Sequence, residues 1–334
     1  MAKAGPVTPF ARDVGDHRLL VYLASTPTSL VVVEGEHPTF FNLHGTADAP
    51  VQNIAIKNIR FDKGGFQSKA PYITEQGALY TTNNAATAPR ILPTGAVAIS
   101  NGKNISVTNS VFRDLLGSGI SVGSGSSDVT ISNNTFSEIG GSAIVLGTYK
   151  PHISRITVSR NSIVNVGRIF TNSPAIYALY VGDSEFSFNS IAHATYSGIT
   201  VQSSANHIPV AGVGNNLVHD NIIAYAMEVH NDGGAIYTMG DQPGTKIYQN
   251  TIWTMGVGYN TRGMLPGARG YPIYIDTGGN ISVFNNTLKS INWSVLSPDV
   301  SAGNPIFGPG VSEPAGSPCG MKACNVTQYN NVSS

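Results

Sequence analysis

The chain has 334 residues, of which 41% are hydrophobic and 11% are charged, so it is long enough to bury a sizeable core beneath a lightly charged surface. Basic and acidic residues balance at 19 each, and the sequence contains no basic block. This composition excludes the electrostatic attraction on which nucleic-acid and anionic-membrane binding depend. We therefore expect a neutral, polar partner, and we expect neither nucleic acid nor a membrane.

Residues 1–50 are predicted to form an N-terminal β cap. They contain two apolar runs, Leu-Leu-Val-Tyr-Leu at 19–23 and Ser-Leu-Val-Val-Val at 29–33, and they lack the repeat that follows. Two such runs predict a β-hairpin. A hairpin over the first coil of a repetitive fold would suppress edge pairing at its open end.

Residues 51–294 carry an internal repeat. An asparagine is followed two residues later by a large apolar residue at Asn134/Phe136, Asn161/Ile163, Asn189/Ile191, Asn221/Ile223, Asn250/Ile252 and Asn286/Leu288. Phe112 and Phe61 extend this series towards the N-terminus, and the spacings from Phe112 onward run from 24 to 36 residues. A period of this length indicates one solenoid coil per repeat.

Each repeat is predicted to consist of β-strands. Apolar and polar residues alternate in segments such as 105–107 (Ile-Ser-Val) and 129–131 (Val-Thr-Ile), and this period of two excludes a helical solenoid. A second strand begins seven residues after the apolar ladder position, as at Gly119 after Phe112. We therefore predict an all-β fold in one structural domain, a right-handed parallel β-helix of roughly nine coils. The asparagines are expected to stack from coil to coil and to adopt the left-handed backbone of a corner.

The last segment, 295–334, contains five prolines and is predicted to form an irregular C-terminal wrap. Cys319 and Cys324 either close a small disulfide or remain reduced, and the sequence leaves both states open. Two cysteines make a poor metal site. We predict neither a metal nor another cofactor.

Several Asn-X-Ser/Thr triplets, such as those that begin at Asn104, Asn280, Asn292 and Asn325, suit a secreted protein. The first ten residues lack the apolar segment of a secretory signal. We therefore expect a secreted, extracellular parent protein, and two alternatives stay open, that this chain is a fragment and that the protein is cytoplasmic. We expect a monomer.

When the second strands are placed in register, five isoleucines point inward: Ile120, Ile144, Ile199, Ile236 and Ile273. Tyr237 and Tyr274 then point outward as an aromatic patch, and the next outward positions include Gln202 and Asp276. Asp276 is therefore predicted to face away from the core beside the two tyrosines.

Two insertions interrupt the repeat at one corner. The link from ladder position to second strand is normally seven residues, but it takes twelve from Ile223 to Ala235 and twenty from Ile252 to Pro272. Insertions at the same corner of adjacent coils build the walls of a groove. The candidate ligand-binding residues that they carry are Glu228, His230, Asp232 and Arg262. Carboxylates, a cation and aromatic rings together predict a carbohydrate groove.

Asp232 and Asp276 are the predicted acid/base pair. In simple register Asp232 aligns seven positions before Asp276, which separates the carboxylates by up to about 23 Å at ~3.3 Å per residue. The two meet only if Gly233 and Gly234 fold the loop back over the outer face. Asp241 is the rival partner, and it lies in a Gly-Asp-Gln-Pro-Gly segment that is typical of a turn.

Four segments carry a family resemblance: Asn-Asp-Gly-Gly-Ala-Ile-Tyr-Thr-Met-Gly-Asp-Gln-Pro-Gly-Thr at 231–245, Ile-Tyr-Gln-Asn-Thr-Ile at 247–252, Pro-Ile-Tyr-Ile-Asp at 272–276 and Tyr-Ser-Gly-Ile-Thr-Val at 196–201. Over roughly residues 40–290 the chain resembles the β-helical hydrolases grouped around glycoside hydrolase family 141. The resemblance implies that Asp232 and Asp276 are the catalytic pair. It also implies an α-L-fucoside or a xylan as substrate.

We therefore predict a glycoside hydrolase that acts on a plant or microbial polysaccharide or oligosaccharide. Tyr237, Tyr274 and Trp253 are expected to stack on sugar rings. The remaining substrate-binding candidates are His230, Glu228, Arg262, Gln202 and Asp241.

Two other functions stay open. A polysaccharide lyase or epimerase shares this fold class but must neutralise a uronate before a base removes a proton. A non-catalytic carbohydrate-binding β-helix is favoured if the two carboxyl groups stand much more than about 10 Å apart.

Overall fold

The computed structural model describes residues 10–13, 18–21, 38–66, 72–73, 80–81, 90–147, 152–203, 210–230, 232–253, 271–276, 278–289, 323–324 and 327–333. The chain divides into two compact units, Met1–Glu34 and Gly35–Ser334. The first unit contains one antiparallel strand pair, Phe10–Asp13 with Arg18–Val21. The second unit contains a solenoid.

The strand pair of the first unit differs from the predicted hairpin. Arg18–Val21 overlaps the predicted strand at 19–23, but it pairs with Phe10–Asp13, and 29–33 lies outside the described residues. A partner that is close along the chain requires only a short connection, which lowers the entropy lost on closing it. Within the predicted cap, Phe41–His44 is already a strand of the second unit.

The solenoid is built from three parallel sheets, and successive strands enter the first, second and third sheet in turn. The first sheet has ten strands: Val51–Lys57, Gly102–Thr108, Ser127–Ser132, Ile153–Ser159, Val181–Gly182, Glu185–Ser187, Leu217–His219, Thr245–Tyr248, Ile281–Phe284 and Thr327–Tyr329. The second sheet has nine strands: Arg60–Asp62, Val111–Leu115, Thr135–Ile139, Ser162–Val166, Ser190–Ala194, Ile222–Ala224, Thr251–Trp253, Thr287–Lys289 and Val332–Ser333. The third sheet has eight strands: Phe41–His44, Gly95–Ser100, Ser118–Val122, Ile144–Leu146, Ile176–Leu179, Ile199–Gln202, Gly234–Met239 and Tyr271–Ile275. This topology confirms the predicted parallel β-helix.

Smaller strand groups accompany the solenoid. Tyr72–Ile73, Tyr80–Thr81 and Arg90–Ile91 form an antiparallel sheet within the first coil. Gly278–Gly279 pairs in parallel with Ala323–Cys324. The part of the chain that the structure describes contains no helix of the length and hydropathy that crossing a membrane requires.

The predicted inward row of the third sheet is confirmed by the strand pairing. Ile120 pairs with Ile144, and Ile199 pairs with Ile236, which pairs in turn with Ile273. All five side chains are fully buried. One face of each strand therefore fills the interior of the solenoid, and the alternate residues face outward.

The apolar ladder positions align in the second sheet, also as predicted. At its N-terminal end Phe61, Phe112 and Phe136 stack with ring centroids 4.6 and 4.7 Å apart. Aliphatic residues occupy the same position in later coils, beginning with Ile163 opposite Phe136. The interior is thus a column of like side chains, one from each coil.

The asparagine ladder lies at the corner between the first and second sheets. Asn161 Oδ1 accepts hydrogen bonds from the backbone N–H and the Nδ2 of Asn134 at 3.0 and 3.1 Å, and Asn161 Nδ2 donates to the carbonyl oxygen of Ile131 and to Asn189 Oδ1 at 3.0 Å each. Both donors and both acceptor sites of the amide are therefore used. The same contact continues through Asn221, Asn250, Asn286 and Asn331. The predicted stacking of asparagines is confirmed.

The predicted left-handed backbone of the ladder asparagines is wrong. The left-handed residue is the one immediately before each ladder position, as at Asn133, Arg160 and Asp220, where φ is 57°, 54° and 52°. Because the ladder side chain must point into the corner to reach both neighbouring coils, the reversal of the chain falls on the preceding residue.

The C-terminal segment is not irregular throughout. Thr327–Tyr329 and Val332–Ser333 pair with the first and second sheets, and Asn331 between them adds one more amide to the ladder. Since Asn331 offers the hydrogen bonds that other coils use, the chain adds a partial coil here. Residues 290–322 lie outside the described residues, and with them Cys319 and the disulfide that it could form with Cys324.

Candidate active site

The corner between the second and third sheets is where the coils differ in length. In a regular coil the apolar ladder residue and the inward isoleucine are eight positions apart, as for Phe112 and Ile120. Ile163 and Ile176 are thirteen positions apart, and so are Ile223 and Ile236, which flank the first predicted insertion. The insertion after Ile163 was not predicted, although this spacing was its signal. The other predicted insertion, 254–270, lies outside the described residues.

Tyr237 and Tyr274 form the floor of the candidate site. They pair directly in the outward row of the third sheet, as predicted. Their side chains are nevertheless buried, with 0% and 4% of their surface exposed. Tyr196 packs against Tyr237, and Tyr271 packs against Tyr274, with ring centroids 6.5 and 4.6 Å apart. The predicted stacking of these two rings on sugars is therefore wrong, because neighbouring side chains cover them.

The hydroxyl groups of the two floor tyrosines hold two carboxyl groups together. Tyr237 Oη donates to Asp276 Oδ2 at 2.7 Å. Tyr274 Oη lies 3.4 Å from Asp232 Oδ1 and 3.4 Å from Asp276 Oδ1, so these carboxyl oxygens are at most twice 3.4 Å, or 6.8 Å, apart. A phenol has a single hydroxyl hydrogen, so Tyr274 donates to one carboxyl group at a time. The structure thus brings the predicted pair together.

The position of Asp232 depends on backbone geometry that a straight strand lacks. Asp232 has a left-handed φ of 58°, and its carbonyl oxygen accepts a hydrogen bond from Tyr196 Oη at 2.8 Å. A Cβ atom on Gly233 would lie 2.8 Å from Cε2 of Tyr196, and one on Gly234 would lie 2.7 Å from the carbonyl oxygen of Ile236. Only glycine fits these approaches, so the loop folds back and the straight-chain separation of about 23 Å is wrong.

Burial raises the pKa of the Asp232 carboxyl group above its ordinary value, and the charge of Asp276 raises it further. Asp232 as a whole is exposed, whereas its carboxyl group lies against the Tyr274 hydroxyl and loses hydration there. Burial, followed by the charge of Asp276, also raises the pKa of Tyr237 and of Tyr274. Both phenols therefore stay protonated as hydrogen-bond donors.

His230, two positions before Asp232, connects two insertions. Its Nε2 is 2.8 Å from Oγ1 of Thr171, which belongs to the insertion after Ile163. Its ring meets Tyr196 edge-on, with centroids 6.1 Å apart. Burial lowers the pKa of His230, so at neutral pH its imidazole is uncharged and offers one donor and one acceptor. Its role in binding sugar hydroxyls stays a prediction.

Gln202 and Asp241 are buried. Gln202 is 2% exposed, and its Oε1 accepts the hydroxyl of Tyr177 at 2.7 Å. Asp241 is 5% exposed, and its carboxylate accepts a hydrogen bond from Nδ2 of Asn280 beside the predicted turn. Because neither side chain has the exposed surface that a sugar contact needs, the substrate-binding roles predicted for them are wrong.

Glu228 and Trp253 make contacts away from the carboxyl pair. Glu228 Oε1 lies 2.7 Å from Nδ1 of His193. Trp253, on the second sheet, is 46% exposed, and Nζ of Lys289 lies 5.3 Å from the centre of its ring. Arg262 lies outside the described residues. Among these remaining sugar-binding candidates, the described contacts connect only His230, through Tyr196, to Asp232.

Three residues of the site were not predicted: Tyr196, Tyr271 and Thr171. Tyr196 is the first residue of the segment Tyr-Ser-Gly-Ile-Thr-Val, and Tyr271 directly precedes Pro-Ile-Tyr-Ile-Asp. Their position in or next to these segments was the only signal in the sequence. Within the described residues, no group of three or more His, Cys, Asp or Glu side chains is arranged to hold a metal ion. The expectation of no metal stays a prediction.

A known structure shares the architecture. One described as a glycoside hydrolase is 19% identical to this chain, with a TM-score of 0.75 over 96% of this chain and 56% of its own. This chain thus spans little more than half the length of that structure. An alginate lyase from Paenibacillus sp. str. FPU-7 is 13% identical, with a TM-score of 0.44 over 85% of this chain and 90% of its own. The catalytic domain of a GH87 α-1,3-glucanase in complex with nigerose is 14% identical, with a TM-score of 0.43 over 85% of this chain and 56% of its own.

At 19% identity the likeness to the structure described as a glycoside hydrolase concerns the fold alone, and the resemblance to glycoside hydrolase family 141 stays a prediction. No curated protein matches the sequence. The family model of the right-handed β-helix region matches residues 41–174 and 95–288. The chain therefore belongs to the right-handed β-helix family.

Proposed function

We propose that the protein is a glycoside hydrolase in which Asp232 and Asp276 act on the glycosidic bond. The observation that supports this proposal is the approach of their carboxyl oxygens to within 6.8 Å of each other around the hydroxyl of Tyr274. Two carboxyl groups at this distance can flank one glycosidic bond. The fold likeness to a structure described as a glycoside hydrolase agrees with this proposal but is an analogy of fold alone.

The surroundings of the two carboxyl groups favour different roles. Burial and the charge of Asp276 raise the pKa of Asp232, so its carboxyl group holds a proton more tightly than an ordinary aspartate does, and it is the proposed donor to the leaving oxygen. Asp276 accepts the hydroxyl hydrogen of Tyr237, which stabilises a negative charge on its oxygens. Asp276 is therefore the proposed nucleophile towards the anomeric carbon. Water would then release the sugar from the Asp276 ester while Asp232 removes the proton of that water.

The surroundings of Asp276 are the basis for proposing retention of configuration. Retaining pairs of carboxyl groups stand about 5–5.5 Å apart and inverting pairs about 6.5–9.5 Å apart. The limit of 6.8 Å joins one oxygen of each carboxyl group and is compatible with both ranges. Because the hydroxyl of Tyr237 holds Asp276 in place as a nucleophile, we propose the retaining mechanism.

We propose a neutral glycan of the xylan or α-L-fucoside type as substrate. Besides the two carboxyl groups, the partly exposed polar groups of the loop that carries Asp232 and of the neighbouring insertion include the uncharged imidazole of His230 and the hydroxyl of Thr171. Such groups offer hydrogen bonds to sugar hydroxyls, whereas the negative charge of Asp276 would repel a uronate.

Hydrolysis of aryl glycosides and xylans by the purified chain tests this proposal. Asp232→Asn is expected to lower kcat/KM by about 10²–10⁴-fold, the range for loss of acid–base catalysis, and Asp276→Asn, which removes the proposed nucleophile, by at least about as much. Asp183→Asn, an exposed aspartate whose Oδ1 accepts only Nδ2 of Asn215 in the described contacts, is the matched control and should retain activity. Asp241→Asn tests the rival carboxylate.

Two outcomes would reject the assignment. Turnover that both Asp232→Asn and Asp276→Asn leave intact would remove the pair from the mechanism. Unsaturated products that absorb ultraviolet light would show elimination and place the protein among the lyases.

A further inference from the structure

A second polar cavity lies on the outer face of the third sheet, in its first three strands. Its volume is about 320 Å³, within the range of small-molecule sites. Its floor consists of six outward positions in two aligned rows: Asn42, Ala98 and Ser121 in one, and His44, Ser100 and Gly123 in the other. Tyr237, Tyr274 and Asp276 stand on these same two rows. Their strands are the fourth and fifth beyond the last floor strand, Ser118–Val122.

Small side chains create this cavity. Ala98 and Ser121 occupy the row in which later strands carry Val145 and then Tyr177. Those larger residues are fully buried in an apolar cluster with Val213. The sheet face is therefore closed in its middle and open at its N-terminal end, where 38–39 and 92–94 form the walls of the cavity.

The polar groups of the cavity are held in place by the backbone and by each other. His44 Nδ1 lies 2.6 Å from Ser100 Oγ, which fixes the imidazole and leaves its Nε2 for a ligand. Ser121, a buried residue of the floor, accepts the backbone N–H of Gly95 at its Oγ at 3.0 Å. The exposed amide of Asn42 adds a further donor and acceptor.

The lining residues, all of them in the described part of the chain, include no Asp, Glu, Lys or Arg. Pro38, Leu92 and Pro93 add apolar surface beside the hydroxyl, amide and imidazole groups. A sugar ring presents the same combination, hydroxyl groups around an apolar ring face. We propose that this cavity is a second binding site for a neutral mono- or disaccharide unit, separate from the acid pair.

Four strand spacings of about 4.8 Å, or roughly 19 Å, separate the nearest floor strand from the strand of Tyr237. The buried cluster around Tyr177 lies between them. A single sugar unit cannot contact both places. The second site therefore does not depend on the proposed hydrolysis, and each can fail without the other.

Calorimetric titration tests the second site. The protein carries Asp276→Asn to prevent turnover, and the probes are xylotetraose, cellotetraose and trigalacturonate. Ala98→Phe fills the floor as Tyr177 fills it later in the same row. We expect it to remove one binding event or to weaken it by more than about tenfold. Ala55→Phe, at an exposed outward position of the first sheet, is the matched control and should bind as before.

A second variant guards against misfolding. Asn42→Ala and His44→Ala together remove exposed polar groups without adding volume, and they should weaken the same binding event. Thermal melting confirms that each variant is folded. Equal binding by the parent and the folded Ala98→Phe protein, binding of none of the neutral probes, or preference for trigalacturonate would overturn the proposal. Loss of a binding event in the Ala98→Phe protein, together with no hydrolysis by the wild-type chain, would keep this proposal and reject the proposed hydrolase.

Discussion

Each coil has two described corners that differ in the variability of their length. The first corner joins the first and second sheets, and the second corner joins the second and third sheets. At the first corner the turn is short and constant, as where Arg160 and Asn161 join two strands. At the second corner the connection ranges from two residues, 116–117, to thirty-two residues, 63–94. Asp232 and His230 both come from the nine-residue connection 225–233.

The hydrogen bonds of the two corners explain the difference. A ladder amide bonds to both neighbouring coils, so any change in the length of its turn would leave buried donors and acceptors without partners. At the second corner no ladder of hydrogen-bonded side chains runs from coil to coil through the described coils. An insertion there lies over the sheet and changes no ladder contact. Stability is therefore expected to depend on the constant corner, and activity on the variable one.

Asn221→Ala is expected to have the largest effect. Its amide donates to Asn250 Oδ1 and to the carbonyl oxygen of Phe186, and it accepts the side-chain and backbone N–H of Asn189. At ~1–3 kcal/mol for each buried group left unpaired, the free energy of unfolding should fall by about 3 kcal/mol or more. Denaturant unfolding measures this change. Ser190→Ala, at an exposed position in the preceding coil, should change it by less than about 0.5 kcal/mol.

The same Asn221→Ala protein should keep its turnover per folded molecule under conditions where it remains folded. A loss of turnover in proportion to the loss of stability would mean that the two corners do not separate the two properties.

Gly233→Ala should have the opposite effect to Asn221→Ala and lower turnover more than stability. Its new Cβ would lie 2.8 Å from Tyr196 and 2.9 Å from Met227, so the loop that carries Asp232 must shift. A displacement of about 1 Å at a reacting group lowers the rate by up to about 10²-fold. Steady-state kinetics with an aryl glycoside measures the effect. Gly117→Ala, in the short connection of a regular coil, meets nothing closer than 3.5 Å and should change neither activity nor stability.

Tyr237→Phe removes the 2.7 Å hydrogen bond to Asp276 and keeps the buried ring. A hydrogen bond to a charged group contributes about 1.5–3 kcal/mol, so we expect kcat/KM to fall by about 10- to 100-fold. Tyr177→Phe is the matched control, because it removes an equally buried hydroxyl that bonds to Gln202 in the same row. If both variants lose activity equally, the hydroxyl of Tyr237 contributes only to packing.

The smallest expected effect is a gain in stability of Asp232→Asn that depends on pH. The raised pKa means that the folded state holds the Asp232 proton more tightly than the unfolded state, so the wild type loses stability as pH rises from the ordinary value of 3.8 through the raised value. Asparagine cannot ionise, so the difference in Tm should be near zero below this window and largest above it. Melting curves of both proteins across pH measure it, and a difference independent of pH would exclude a raised pKa.

The repeating part of the fold was predictable from the sequence. The Asn134 to Asn286 ladder and the inward row of isoleucines follow from residue type and period alone, because each coil repeats the same local environment. The residue with left-handed backbone was misplaced by one position, since asparagine itself tolerates that conformation and so hides which residue uses it.

The candidate site was only partly predictable. Alternation along a strand shows that Tyr237 and Tyr274 face outward, but it cannot show whether another segment covers them, and Tyr196 and Tyr271 do so. The approach of Asp232 to Asp276 depends on one left-handed residue and two close glycine contacts. Such contacts join positions far apart in the sequence, where periodicity carries no information.

The asparagine ladder also gives the solenoid an electrical direction. Each amide oxygen faces the preceding coil and each amide nitrogen faces the following one, from Asn134 to Asn331. The side-chain dipoles therefore align head to tail along the axis, and each hydrogen bond polarises the next. A coil inserted with asparagine at this position would lengthen the row of dipoles without reversing it, whereas a coil without one would divide it into two shorter and weaker rows.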